Sequence, residues 1–345
     1  MSRGCLEGFD VADVVPYLLS PEEYVAMKIV ILGAGALGTV LGAHLARAGE
    51  DVTLIARGQR AAYLQEHGAI ITGLLDFTVP VRVVTDPQQV HDADVLIVTV
   101  KTYDMASALA SVKHLDVGSV LSIQNGVLKN EQLAQTFGWA KVLGAMAAFS
   151  GAVLPTGTVR FTVNQGLYLG ELPEGTSTRV QTLGETFARA GILVQVTPSI
   201  QSFEWAKYLA FLSWMAPAVL TRLETYKFLQ EVRTASIVAA ILQEMTQLAT
   251  ARAIVLEDIT FFPTKTFSQL PFDDLVTHLQ QMGHALASQA PLHKISTLQD
   301  VEQGKRLEVE ETLGYAVQQG VELGIPTPTM DVCYKLIAGI NHYLQ

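Results

Sequence analysis

A glycine-rich stretch near the start of the chain has the spacing of a dinucleotide-binding loop. Gly33, Gly35 and Gly38 lie between a strongly apolar run and a segment with helical periodicity. In such a loop the first glycine makes a tight turn, the second lets the backbone approach a pyrophosphate, and the third lets helix and strand pack closely. The N-terminus of the following helix attracts the same anion. We therefore predict that a cofactor contacts Gly33, Ala34, Gly35, Ala36, Leu37 and Gly38.

The end of the second predicted strand indicates which dinucleotide the loop holds. NAD sites usually carry an acidic residue there, about 20 residues after the loop, that binds the ribose 2′-hydroxyl. This chain instead has Arg57, followed by Arg60. A guanidinium binds a phosphate through paired hydrogen bonds. Arg57 therefore favours NADP(H), with a solvated surface arginine as the alternative interpretation.

Alternating strands and helices must position these residues. We predict strands at 27–32, 51–57, 69–73, 77–85, 94–100 and 119–126, and helices at 37–48, 60–68 and 128–137. This order is typical of a doubly wound α/β Rossmann domain. Residues 141–154 are expected to continue its sheet, and residues 158–172 to form antiparallel edge strands.

The second half of the chain has a different pattern. Long periodic segments replace the short apolar runs and predict helices at 200–215, 228–254, 270–288, 300–323 and 328–344. We therefore expect an all-α C-terminal domain over 198–345, after a Rossmann domain over 27–197. We expect residues 1–26 to be either an extension of unknown role or the product of a start site chosen too far upstream.

Composition excludes several classes of partner. The net charge of −10 and the pI of about 5.3 disfavour nucleic acid and anionic membranes. Cys5 and Cys333 provide neither a disulfide framework nor a metal site. No apolar run reaches the ~20 residues that cross a bilayer. We expect a cytoplasmic protein with a small-molecule substrate and no metal.

Six stretches together resemble the ketopantoate reductase (2-dehydropantoate 2-reductase) family: ILGAGALG (31–38), VKTYD (100–104), IQNGV (123–127), EWAKYLAF (204–211), STLQDVEQGKRLEVEETLG (296–314) and LGIPTPT (323–329). The resemblance covers nearly the whole chain from Met27. It implies a Rossmann domain joined to an all-helical domain, with the site in the cleft between them. It also implies NADPH-dependent reduction of 2-dehydropantoate to pantoate, in pantothenate biosynthesis. The oligomeric state is left open, with a homodimer as our expectation.

The resemblance also assigns roles to individual residues. Lys101 and Asn125 would lie near the nicotinamide and the substrate, and Lys207 matches the catalytic lysine. Ser296 matches the substrate-binding serine. Glu308, twelve residues later, matches its acidic partner and is predicted to be catalytic. These types suit the chemistry, because reduction of a ketone builds negative charge on oxygen that an ammonium can stabilise and protonate. Without the resemblance, Lys207 and Glu308 would be interpreted as ordinary surface charges.

One helix departs from the family pattern. The family usually has asparagines four and eight residues after the helical lysine, where this chain has Phe211 and Met215. Together with Trp214 they lie on or near the Lys207 face of a helix. We predict that Phe211 and Met215 contact substrate, and that this apolar face lowers the pKa of Lys207. A shifted alignment, or a face that is plain core, is the alternative.

Two other functions stay open at this point. The first is a related NADP-dependent dehydrogenase for a more apolar 2-oxo acid or an imine, as the apolar face suggests. The second is a non-catalytic NADP-binding sensor that kept the Rossmann half. The presence of Lys207, Ser296 and Glu308 argues against the sensor, which would need no proton donor.

Overall fold

The computed structural model describes residues 25–344. The expected extension over 1–26 lies almost entirely outside the described residues. The strands are β1 Lys28–Leu32, β2 Asp51–Ile55, β3 Ala69–Gly73, β4 Phe77–Val79, β5 Arg82–Val84, β6 Asp92–Val98, β7 Asp116–Ser122, β8 Leu143–Val153, β9 Val159–Glu171 and β10 Val194–Val196. The α-helices are α1 Ala36–Arg47, α2 Gly58–His67, α3 Met105–Val112, α4 Leu128–Phe137, α5 Thr178–Arg189, α6 Ile200–Thr221, α7 Thr225–Gln230, α8 Val232–Ala251, α9 Thr264–Ser268, α10 Phe272–Gln289, α11 Ser296–Glu302, α12 Tyr315–Leu323 and α13 Pro328–His342.

A five-stranded parallel sheet forms the centre of the N-terminal half, in the order β5-β2-β1-β6-β7. Its strands are short and rich in β-branched residues, and most of their side chains are buried. Such continuous apolar runs are typical of parallel strands that are covered on both faces. The expected Rossmann-type fold is thus confirmed. The glycine loop, Lys101 and Asn125 follow β1, β6 and β7 respectively, at the carboxyl edge where such sheets bind ligands.

A second sheet contains the long strands β8 and β9, which corrects two expectations. Residues 141–154 do not continue the parallel sheet, apart from one bridge between Val120 and Val142. β8 pairs antiparallel with β9, because the turn of residues 154–158 between them is too short for a parallel crossover. β9 is not an edge strand, since it also pairs with β3 and β10 on its other side.

The predicted strand over 77–85 is likewise two strands. β4 pairs with β3 in the second sheet, whereas β5 pairs with β2 in the first. Pro80 lies between them and has no N–H group to continue a ladder.

Helices α3 and α5 were not predicted.

Helices make up the C-terminal half, as expected, and surround α6. Most side chains of α6 are buried, so this helix is the axis of the C-terminal core. The single helix predicted over 300–323 is wrong. Helix α11 ends at Glu302, Gly304 adopts a φ of +66°, and a π-helical turn at Glu310–Gly314 precedes α12.

Residues 25–344 contain neither a membrane-spanning helix nor a cluster of metal-ligating side chains. Within that range, no helix is both long enough and apolar enough to cross a membrane. The same residues contain no group of three or more His, Cys, Asp or Glu side chains that could hold a metal ion.

Candidate active site

The glycine loop has the geometry that a dinucleotide requires. Gly33 has a φ of +109°, which L side chains rarely adopt. A Cβ on Gly38 would lie 2.1 Å from the Gly33 carbonyl oxygen, so only glycine allows α1 to pack here. A Cβ on Gly35 would meet nothing within 4 Å. The space over Gly35, at the N-terminus of α1, therefore suits the close approach of a phosphate.

Two arginines adjoin the loop and differ in their contacts. Arg57 is exposed at the end of β2, at the N-cap of α2. Arg60 is partly buried, and its Nε donates to the carbonyl oxygen of Ala34 at 2.8 Å. Its Nη2 also donates to Oγ1 of Thr39 at 2.9 Å. Arg60 thus braces the loop, which leaves Arg57 as the exposed cation beside it.

Lys101 connects the two halves of the molecule. Its Nζ lies 2.6 Å from Asp300 and 3.4 Å from Glu308, both in the helical half. Glu308 also accepts a hydrogen bond from the N–H of Thr102 at 2.9 Å. Burial alone would lower the pKa of Lys101, but the two carboxylates outweigh it and raise the pKa to about 12. Lys101 is therefore a permanent cation at this junction.

Lys207 lies across a narrow pocket from the loop that follows β7. Its Nζ donates to the carbonyl oxygen of Ala147 on β8 at 2.8 Å. Asn125 and Phe211 line the same pocket. The pocket holds about 10 Å³, roughly the room for one water, so a larger molecule enters only if neighbouring side chains move.

A buried ion pair underlies this pocket. Nζ of Lys129 lies 2.5 Å from Oε1 of Glu204, and each side chain is only 2% exposed. Lys129 also donates to the carbonyl oxygens of Ser122 and Ala145. Glu204 accepts hydrogen bonds from Asn130 and from the N–H of Ala145. Such complete pairing is what a buried charge pair requires.

The pKa of Lys207 is lowered to about 8. Burial is the largest cause, and the positive charge of Lys129 acts in the same direction. Glu308 and Glu204 oppose the shift only in part. The expected direction is confirmed, although the charge of Lys129 was not foreseen as a cause. An ammonium with this pKa suits a proton donor near neutral pH.

Ser296, Trp214 and Met215 do not line the Lys207 pocket. Ser296 is exposed at the first position of α11, one turn before Asp300 on the same helix face. Met215 is 0% exposed within the helical core, and Trp214 packs edge-on against Phe262. Substrate contact by Met215 thus has no support in the structure, and of the predicted apolar face Phe211 lines the pocket.

Sequence reasoning missed four residues with close contacts in this region: Lys129, Asn130, Glu204 and Asp300. Two of them had a signal in their spacing. Glu204 precedes Lys207 by three residues and Asp300 follows Ser296 by four, so each pair shares a helix face. The Lys129–Glu204 pair had no such signal, because it joins two helices that are distant in sequence.

Two models of one protein family match the chain. The model described as ketopantoate reductase PanE/ApbA matches residues 29–174, and its C-terminal counterpart matches residues 199–341. The chain belongs to the ketopantoate reductase PanE/ApbA family. Members are oxidoreductases that use a nicotinamide cofactor, which agrees with the open approach over Gly35.

Relatives and solved structures agree with this membership. The 2-dehydropantoate 2-reductase of Archaeoglobus fulgidus is 27% identical over 91% of this chain and 98% of that protein. That of Pyrococcus abyssi is 28% identical over 91% and 97%. A PanE/ApbA family ketopantoate reductase from Ralstonia eutropha JMP134 superposes with a TM-score of 0.78, at 28% identity over 92% of this chain and 100% of that chain.

A structure of D-mandelate dehydrogenase with NADH and anilino(oxo)acetate is also similar. It has a TM-score of 0.79 at 18% identity, and covers 92% of this chain and 99% of that chain. At this level of identity the similarity shows a shared fold.

A pair of glycine substitutions separates packing from cofactor approach. Gly38→Ala forces a methyl group against the Gly33 carbonyl oxygen, and should destabilise the protein by about 1–3 kcal/mol. Gly35→Ala meets open space at a φ of −67°, and should cost less than about 1 kcal/mol. It should nevertheless weaken binding of a nicotinamide dinucleotide. Urea denaturation and fluorescence titration measure the two effects; unchanged affinity in Gly35→Ala would contradict the assignment of the loop.

Proposed function

We propose that this protein reduces a 2-oxo acid to a 2-hydroxy acid with NADPH, and that 2-dehydropantoate is its substrate. The observation that carries the proposal is the partly buried Lys207, with its lowered pKa, facing the Asn125 loop across one pocket. Family membership supplies the substrate class. A division into a cofactor domain over 27–197 and a substrate domain over 198–345 belongs to the proposal, supported by the start of α6 at Ile200.

Lys207 provides the proton in this mechanism. A nicotinamide dinucleotide held by the loop at Gly33–Gly38 would supply a hydride to the ketone carbon, and negative charge would then develop on the ketone oxygen. The Lys207 ammonium stabilises that charge and then donates a proton, which completes the hydroxyl group. With a pKa of about 8, Lys207 is largely protonated at pH 7 and is a stronger acid than a lysine with an ordinary pKa.

Other residues orient the substrate and the cofactor. We assign the substrate carboxylate to Ser296 and Lys101, because a hydroxyl and a permanent cation both favour an anion. Asn125 lines the pocket beside Lys207 and holds the nicotinamide or the ketone. Glu308 binds Lys101 and the Thr102 N–H, so its role is to position Lys101 rather than to touch Lys207 directly.

A more apolar 2-oxo acid is the second candidate substrate. Phe211 lines the pocket where the family usually has an asparagine. The hydroxyl group of 2-dehydropantoate loses a hydrogen-bond partner there, whereas an alkyl group gains an apolar contact. A cytoplasmic homodimer remains our expectation for the assembly.

Arg57 should determine the preference for NADPH. Replacing it with aspartate removes the cation that meets the 2′-phosphate and introduces repulsion. We expect Arg57→Asp to raise the KM for NADPH by about 10–100-fold, the range for losing a charge-assisted hydrogen bond, and to change the KM for NADH little. Arg233→Asp, an exposed change on α8, is the matched control. An equal change in KM for both cofactors would show that Arg57 does not bind the 2′-phosphate.

Lys207→Ala should abolish most of the turnover. Loss of a general acid lowers kcat by about 10²–10⁴-fold. The fold should survive, since within residues 25–344 the Lys207 ammonium donates one hydrogen bond, to Ala147. Lys335→Ala, which truncates an exposed lysine on α13, should leave kcat unchanged. NADPH oxidation at saturating substrate measures both variants, and near-normal kcat in folded Lys207→Ala would refute the assignment.

Phe211 should influence the choice between substrates. Phe211→Asn restores a polar partner at the pocket and should raise kcat/KM for 2-dehydropantoate relative to 2-oxo-4-methylpentanoate by about 5–20-fold, as expected for one added hydrogen bond. Phe272→Asn, at the exposed start of α10, is the control. If the ratio does not change, Phe211 is only a packing residue.

A further inference from the structure

A second cavity lies beside the α4–α6 junction, separate from the Lys207 pocket. Its volume is about 310 Å³, at the lower end of the ~300–1,000 Å³ typical of small-molecule sites. It lies between the start of α4, the start of α6, the end of α8 and the start of α12. Its lining residues are Val127, Asn130, Glu131, Trp139, Leu172, Pro173, Gln201, Glu204, Trp205, Arg252 and Tyr315.

Arg252 supplies a cation with unused hydrogen-bonding capacity. Its Nε is buried and has no hydrogen-bond partner among residues 25–344. Its Nη1 lies 4.0 Å from Oε1 of Glu131, at the limit of an ion pair. Its guanidinium carbon lies 5.8 Å from the centre of the Trp205 ring. A buried N–H group without a partner is costly, so a ligand that accepts from Arg252 would be stabilised.

Two acceptors, Asn130 and Glu131, also line the cavity. Nδ2 of Asn130 donates to Oε2 of Glu204 at 2.6 Å, which fixes the orientation of the amide. Its Oδ1 is buried and has no partner in the described part of the chain. The carboxylate of Glu131 accepts from the hydroxyl of Tyr315 at 2.9 Å and is otherwise 40% exposed. These two groups together suit a ligand that donates several hydrogen bonds from a cation.

Apolar and aromatic surfaces complete the lining. Trp139 is 58% exposed, a high value for so large an apolar side chain. Leu172, Pro173 and Trp205 also line the cavity. An apolar group bound against these residues would cover surface that otherwise faces water.

We propose that this cavity binds a small zwitterion, namely an α-amino acid with an apolar side chain. Its carboxylate accepts from Arg252, and its ammonium donates to Glu131 and to Oδ1 of Asn130. Its side chain packs against Trp139 and Trp205. This site is distinct from the one under the proposed function, because among residues 25–344 the two pockets share Glu204 alone.

Binding to the full-length protein tests the proposal directly, without any turnover. Isothermal titration calorimetry should show saturable binding of L-phenylalanine or L-leucine at one site per chain. 3-Phenylpropionate lacks the ammonium and 2-phenylethylamine lacks the carboxylate, so each should bind at least about 10-fold more weakly than L-phenylalanine. Absence of saturable binding for both amino acids would overturn the proposal, as would equal affinity of either truncated analogue.

Variants then locate the site. Arg252→Gln and Glu131→Gln should each weaken binding of the amino acid by about 10–100-fold, whereas Arg233→Gln, at the opposite end of α8, should not. Lys207→Ala should leave the affinity unchanged, because the reduction site is elsewhere. Thermal melting curves confirm that each variant folds. Affinity that depends on Lys207 but not on Arg252 would place the amino acid in the reduction site and refute the second site, whatever the protein's substrate.

Discussion

The buried ion pair between Lys129 and Glu204 is the interaction on which the proposed chemistry most depends. Lys129 belongs to α4 of the N-terminal half and Glu204 to α6 of the helical half. Their hydrogen bonds include the carbonyl oxygen of Ser122 on β7 and both backbone polar groups of Ala145 on β8. Removing one partner would leave an unpaired buried charge, which typically costs about 3–5 kcal/mol. The pair therefore fixes α6, and with it Lys207, against the end of the parallel sheet.

Two lysines meet at this junction in opposite electrostatic environments. Lys101 faces Asp300 and Glu308, and its pKa is raised to about 12. Lys207 lies near Lys129 with a carbonyl oxygen as its hydrogen-bond partner, and its pKa is lowered to about 8. The carboxylates thus keep Lys101 charged, whereas Lys207 gives up its proton more readily than an ordinary lysine. The division follows from where the carboxylates lie, since burial alone disfavours the charge on both.

Local patterns predicted the parts of the molecule that depend on neighbouring residues. The glycine loop, the strands of the parallel sheet and the Lys207 helix were predicted because the pattern of each lies within a short stretch of sequence. The second sheet was not predicted, because the pattern of a strand does not indicate its pairing partner. β9 pairs with the adjacent strand β8 and also with β3 and β10, which are distant in sequence. The lysine was identified by resemblance, but the ion pair behind it was missed for the same reason: Lys129 and Glu204 are 75 residues apart. Met215 is buried by tertiary packing. Helical periodicity does not indicate which face of α6 meets the pocket, because most side chains of this helix are buried.

The pH dependence of kcat/KM in the wild type and in Lys129→Met tests the central claim, that the environment of Lys207 tunes it as the proton donor. The acid form is the active one, so the rate should fall as pH rises through about 8 in the wild type. Lys129→Met removes a positive charge that lowers the pKa of Lys207, so the fall should move to higher pH. Circular dichroism and a melting curve establish that the variant is folded. A descending limb that stays in place in a folded variant, or that is absent from the wild type, would contradict this account.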